Sequence, residues 1–254
     1  MLPILLLFFK IGLWQASSWQ VPHNVQKLMS AYPDFVRGYE NNYIIFNDNS
    51  KMLYDDGIAN KSYVQLLNNP DIEDQFKYEY KKGNIPSAIT KNNDPGRMRN
   101  EAFFKKMYGS TEAEVKKNLV EMVWCPKLVH QKIKVTKING IDKQLHLISA
   151  ELDEHPELKE YVTNIGGTFN WRKINGSERL SMHSFGMTVD INTKFSDYWQ
   201  WACKCTNEDA NLGYKNRIPQ LIIDIFERHG FIWGGKWYHY DTMHFEYRPE
   251  LIEN

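Results

Sequence analysis

The most regular hydrophobic pattern lies near the C-terminus. Ile218, Leu221, Ile222, Ile225 and Phe226 recur at i, i+3, i+4, i+7 and i+8, with Pro219 in the first turn and Gly230 just past the end. That spacing predicts an amphipathic helix with one buried face. Leu145, Ile148 and Leu152 predict a second helix, and Phe103, Phe104, Met107 and Tyr108 a third, ended by Gly109. Thr111-x-x-Glu114 is a capping box that opens another helix toward Leu119. Strand-like alternation occupies 132–139, before the turn Asn139-Gly140, and recurs around His244 and Glu246. Shorter β-prone runs are expected at 168–172, after Gly166-Gly167, from Ser181 to a bend at Phe185-Gly186, with Ser181 and His183 on one strand face, and at 187–192. From 20 to 91 the pattern is irregular, with turn signals at Asn47-Asp48-Asn49 and Asp55-Asp56-Gly57, and predicts short strands with one or two short helices. The expected fold class is α+β: a small antiparallel sheet flanked by helices, with an N-terminal accessory region.

The first residues change the domain division. Leu2 to Phe9 are apolar, Lys10 interrupts, Ile11 to Trp14 resume, and Ala16-Ser17-Ser18 are small. The run is too short to cross a bilayer as a helix. We read residues 1–18 as a signal peptide, 19–110 as the accessory region and 111–254 as the catalytic domain. Export places the protein in the periplasm or outside the cell; an uncleaved membrane anchor and a cytoplasmic start are the alternatives.

Composition narrows the function classes. At 42% hydrophobic residues the chain can bury a core, and disordered or collagen-like classes are excluded. Lys plus Arg and Asp plus Glu number 31 each, so no net field draws the chain to nucleic acid or to an anionic membrane. We expect a monomer with no stable membrane span. The eight Trp serve core packing first, with stacking on sugar rings as another use. Cys203 and Cys205 are two residues apart, a spacing that strains a direct bridge, so a disulfide is expected to join Cys125 to one of them, with free thiols as the alternative.

The candidate chemistry lies in two short stretches, Ser181-x-His183-x-x-Gly186-x-x-x-Asp190 and Asp241-x-x-His244-x-Glu246. Two imidazoles and a carboxylate are good zinc ligands, and three protein ligands leave a position for water. We read His183, Asp190 and His244 as ligands to one Zn²⁺ per chain and Asp241 as the general base. The odd spacing puts His183 and Asp190 on opposite faces of one straight strand, so they converge only if the chain turns at Gly186. Asp190 stands in an otherwise apolar strand and needs a partner. Alternatives remain: His239 in place of His244, and Glu246 as base in place of Asp241 or as a support behind the ligands. Arg97 and Arg99 are read first as structural or surface arginines, with a substrate carboxylate as the alternative partner.

These motifs, with Gly167-Thr168-Phe169-Asn170-Trp171-Arg172 and Gly230-Phe231-Ile232-Trp233-Gly234-Gly235, resemble the VanY/VanX-like zinc D-alanyl-D-alanine carboxypeptidases and their L-alanyl-D-glutamate endopeptidase relatives. The resemblance runs from about 168 to 251, with every ligand and base position matched. It favours Asp241 and His244 over their alternatives. It implies a hydrolase that acts on stem peptides of peptidoglycan in the cell wall, and a D-Ala-D-Ala terminus as substrate. It also implies that Arg172 faces the scissile bond, where a guanidinium can stabilise an oxyanion, and that Ser181 hydrogen-bonds substrate, a plain structural hydroxyl being the alternative. Two rivals come from other classes: a binding or signalling module similar to the hedgehog signalling domain, and a structural protein whose ion has four protein ligands. An endopeptidase is the rival within the enzyme class.

Overall fold

The apolar stripe at 218–226 becomes the helix Gln220–Arg228, with Pro219 at its N-cap and Ile222, Ile223, Ile225 and Phe226 buried. Phe226 stacks on Phe245 with ring centroids 3.9 Å apart, which lays this helix on the sheet that carries His244. In this computed structural model residues 20–252 are described. The signal peptide expected at 1–18 lies outside them.

The fold is α+β, with three antiparallel sheets among the described residues. Strands β1 (Val36–Glu40), β2 (Tyr43–Phe46) and β3 (Lys51–Leu53) form a meander. A hairpin follows, of β4 (Leu119–Trp124) and β5 (Gln131–Thr136). The four-stranded sheet contains β6 (Ile165–Gly167), β7 (Thr188–Asn192), β8 (Phe231–Trp233) and β9 (His244–Tyr247), in the order β6-β7-β9-β8. The other expected helices form at Glu101–Tyr108, ended by Gly109 at φ +124°, and at Ile141–Leu152. Thr111 accepts from the Glu114 N–H as a cap, but that helix stops at Lys116, because Leu119 already pairs with Thr136 in the hairpin. In the irregular N-terminal region the helices His23–Ala31 and Tyr63–Asn68 accompany the meander.

One hydrophobic cluster includes Val25 and Leu28 of the first helix, Phe103 and Phe104, Phe226 and Phe245. Residues on both sides of position 110 therefore share a core, and the N-terminal region is packed against the sheet that bears the site. Burial of that apolar surface is the main force holding the two together.

Two local expectations are corrected. Residues 168–172 are not a strand: β6 ends at Gly167, and the chain leaves the sheet so that Asn170 and Arg172 can bond to the segment carrying His183. Nor is Ser181-Met182-His183 a strand. Met182–Phe185 is a single 3₁₀ turn with Ser181 at its N-cap, held by Ser184, whose hydroxyl accepts from the Arg172 N–H and contacts the carbonyls of Asn170 and Arg172. The turn ends at Gly186, whose φ of +67° is left-handed. A side chain there would also put Cβ 2.8 Å from Leu119 Cδ2 and 3.2 Å from the Thr136 nitrogen. Gly186→Ala is therefore expected to cost about 1–3 kcal/mol, measured by urea unfolding.

Candidate metal centre

Strand register brings the first two groups together. In the antiparallel β7/β9 pair, Asp190 lies directly opposite His244, Val189 opposite Phe245 and Thr188 opposite Glu246. Side chains alternate across a sheet, so Asp190, His244 and Glu246 share one face while Val189 and Phe245 point into the core beneath the helix. His183 arrives from the 3₁₀ turn, and Gly186 folds it back over Asp190, which resolves the parity conflict in the spacing. Ligand atoms of His183, Asp190 and His244 all lie within 4.8 Å of one another.

Hydrogen bonds on the outer ring nitrogens set the tautomers. His183 Nδ1 is 2.7 Å from the Thr168 carbonyl, to which it must donate, leaving Nε2 3.1 Å from Asp190 Oδ2. His244 Nε2 lies 3.2 Å from Glu246 Oε2, and Nδ1 lies 3.0 Å from Asp190 Oδ1. Two imidazole lone pairs thus converge on one carboxylate, an arrangement that requires either extra protons or a cation between them. A donor set of two oriented imidazoles and one carboxylate fits Zn²⁺. In the metal-free chain burial acts to lower the His244 pKa, but its bonds to Asp190 and Glu246 prevail and push it up to about 10. Burial likewise acts to raise Asp190, and the His183 and His244 rings overcome it, holding this carboxyl well below its usual range.

Glu246 has a fully buried side chain, and two arginines meet it. Arg99 grips it with Nε at 3.1 Å and Nη2 at 2.5 Å, and Arg248 Nη1 lies 3.1 Å from Oε1. Burial raises its pKa, yet the two guanidiniums and His244 hold it far below the carboxylate range. Glu246 is thus an ionised acceptor behind His244, the supporting role among the alternatives. Arg99, from the N-terminal region, has a structural part behind His244 that depends on a contact 147 residues away, invisible to local spacing.

Asp241 sits beside the trio in the same cavity of about 550 Å³. Its Oδ1 is buried with no hydrogen-bond partner. Burial first, then the neighbouring Asp190 carboxylate, pushes its pKa up to about 7. Arg172 and Ser181 line this cavity too. Arg172 is exposed, its guanidinium 3.4 Å from the Lys173 carbonyl, and it forms no ion pair among the described residues. Ser181 is buried, but without the expected strand it shares no strand face with His183.

His239 is not brought to the trio. Its Nδ1 is 2.7 Å from Asp94 Oδ2 and its Nε2 is 2.9 Å from the Glu208 carbonyl, so both nitrogens are engaged elsewhere. Arg97 belongs to that second network, paired to Asp94 and Glu208. The 195–211 excursion forms the cavity rim, with the short helix Trp199–Cys203. Here the disulfide expectation is corrected: Cys203 joins Cys205, and Cys125 is free and buried. The left-handed Lys204, at φ +53°, lets the chain reverse so that the Cα atoms stand 5.2 Å apart, within bridging range.

Residues 175–247 match the family described as D-alanyl-D-alanine carboxypeptidase. The stretch contains His183, Asp190, Asp241 and His244 and bears out the resemblance to the VanY-like members at family level. No curated protein and no solved structure matches the chain.

Two outcomes are expected. Glu246→Gln should weaken zinc binding about 10–100-fold, measured by competition with a chromogenic chelator. A carboxyl whose folded pKa lies above its unfolded value favours the fold while protonated and costs stability as pH rises through about 7. Metal-free Asp241→Asn should therefore melt higher than the metal-free parent at pH 8, with the gap narrowing below pH 7 and closing only near the unfolded carboxyl value of about 4 in thermal scans.

Proposed function

We propose that the protein is a zinc-dependent peptidase acting on peptidoglycan stem peptides, as a D-alanyl-D-alanine carboxypeptidase. The observation that carries this reading is the convergence of His183, Asp190 and His244 beside a partly buried Asp241 with an unpartnered oxygen, within the stretch that matches the family. His183 and His244 would hold the ion through Nε2 and Nδ1, the nitrogens that their hydrogen bonds leave free, with Asp190 as the third ligand. Zinc bound there supplies a Lewis acid that polarises the scissile carbonyl and lowers the pKa of water.

The chain's own residues do the rest. Asp241, beside the trio with its Oδ1 unpartnered among the described residues, accepts a proton from the attacking water and returns it to the leaving amine. Arg172, in no ion pair among the described residues, can turn its N–H donors to the oxyanion as the carbonyl becomes tetrahedral. Ser181, on the cavity wall, is a hydrogen-bonding group for substrate. Glu246 and Arg99 keep the His244 ring in one orientation, so no reorganisation is needed as charge develops. We assign the periplasm or cell exterior as the site of action, with the protein a monomer. Among the described residues no helix is long and apolar enough to cross a membrane.

Asp241 in this cavity sets the peptidase reading apart from a binding module, which needs no proton acceptor beside the trio. Zinc-loaded protein should release D-alanine from a muramyl pentapeptide. Asp241→Ala should lower kcat about 10²–10⁴-fold and Arg172→Ala about 10²–10³-fold, with metal content unchanged in both. No release by the parent protein carrying one zinc per chain would overturn the assignment.

A further inference from the structure

The cavity around the metal centre has a neighbour. A second cavity of about 230 Å³ shares Arg97, Arg99, Ile174 and Met182 with it. Its outer wall comes from the N-terminal region, at 67–70 and 100–102, together with Arg179 and Leu180. Three guanidiniums thus line one small space. They differ in how fully their donors are used. Arg97 gives both terminal nitrogens to Glu208, and Nη1 also meets Asp94 and Tyr63. Arg99 gives Nε and Nη2 to Glu246, and Arg179 gives Nη2 to Glu208. Nη1 of Arg99 and Nη1 of Arg179 take no partner among the described residues, and Arg179 Nε is buried without one.

The acid in that wall is already committed. Glu101 accepts from the Leu180 N–H at 3.1 Å and pairs with Lys105 at 2.6 Å. Each guanidinium is paired with a carboxylate behind it, and Nη1 of Arg99 and of Arg179 remain as donors for an acceptor that enters the space. Burial, and next the proximity of Arg97, lower the Arg179 pKa, which reports the same crowding of cations. A planar carboxylate matches guanidinium donors best.

We propose that this side cavity binds a carboxylate of the substrate, namely the terminal carboxylate of the residue that leaves beyond the scissile bond. This rests on the peptidase reading and deepens it: a leaving group recognised by its free carboxylate makes the enzyme a carboxypeptidase, whereas an endopeptidase must accept a continuing peptide there. Arg179 is the specificity residue, and Arg99 contributes while it also holds Glu246.

The test is binding of N-acetyl-D-alanine against its C-terminal methylamide to the zinc-loaded full chain, followed by NMR titration. The acid should bind at least tenfold more tightly than the amide. Arg179→Gln should bring the acid to the level of the amide, and Arg179→Lys should recover part of the preference. Glu208→Gln, which removes the ion pairs of both Arg179 and Arg97 but keeps the two guanidiniums, should retain it. Equal affinity for acid and amide in the parent, or a preference that survives Arg179→Gln, overturns the subsite. Hydrolysis of a pentapeptide with a free C-terminus, run alongside, separates the two readings. If the peptide is cleaved while the affinities are equal, the peptidase stands and the subsite falls. If it is not cleaved while the preference depends on Arg179, an anion site stands, and the peptidase reading falls along with the assignment to a leaving residue.

Discussion

The buried carboxylate of Glu246 is the constraint on which the site depends. It has no access to water, so its charge must be met entirely by protein groups, one of them from a distant part of the chain. Arg99 reaches it from the N-terminal region, Arg248 from the residues after β9, and His244 from two positions away on the same strand. The chain of charges continues: Arg248 Nε bonds Glu250 at 2.5 Å, and Glu250 accepts from the Tyr32 hydroxyl at 2.6 Å. Taking ions out of water is expensive, and removing one partner of such a set leaves a charge stranded, typically at several kcal/mol. The first helix, the Arg99 segment and the last strand are therefore mutually dependent, and that dependence orients the His244 ring.

A second buried network does for the cavity wall what the first does for the metal centre. Asp94, Arg97, Glu208 and His239 interlock, with Tyr63 stacked on His239 at 5.4 Å. It ties the rim loop that bears Glu208 to the segment leading into β9. The rim is fixed further by Trp199, whose N–H donates to the Tyr240 carbonyl, and by Thr242, whose N–H donates to the Asp197 carbonyl. Gly235 belongs to the same corner: a Cβ there would fall 2.0 Å from the Trp233 indole, so only glycine lets the backbone cross that ring. The cavity is thus walled by the segment of Arg97 and Arg99 together with residues between 172 and 244. Its cationic side comes from Arg97, Arg99 and Arg172, while Asp190 and Asp241 supply the acid. The trio of His183, Asp190 and His244 thus opens on a surface built from segments far apart in sequence.

Much of this was legible in the residues alone. The helix at 220–228 followed from apolar spacing, because a helix burying one face must repeat every three or four residues. The choice of His183, Asp190, His244 and Asp241 followed from donor chemistry at short spacing, and the α+β class followed from mixed periodicities. The geometry of the 3₁₀ turn did not. Its residues read as β because nothing local reveals the Ser184 hydroxyl bonding to Asn170 and Arg172, or the return of the chain over Asp190. The Cys203–Cys205 bridge was missed because a left-handed Lys204 cannot be read from residue type.

The sequence by itself determined which atoms could bind a metal and move a proton, since those properties belong to side chains and to their spacing along short segments. Only the tertiary structure decided the supporting set. Glu246 emerges behind His244 because Arg99 and Arg248 neutralise it, and His239 is withdrawn from the trio because Asp94 and Glu208 claim both its nitrogens. The physical reason is that burial makes each charge seek its partner in space, and partners such as Asp94 and Arg99, which stand 145 and 147 residues from His239 and Glu246, leave no periodic trace along the chain.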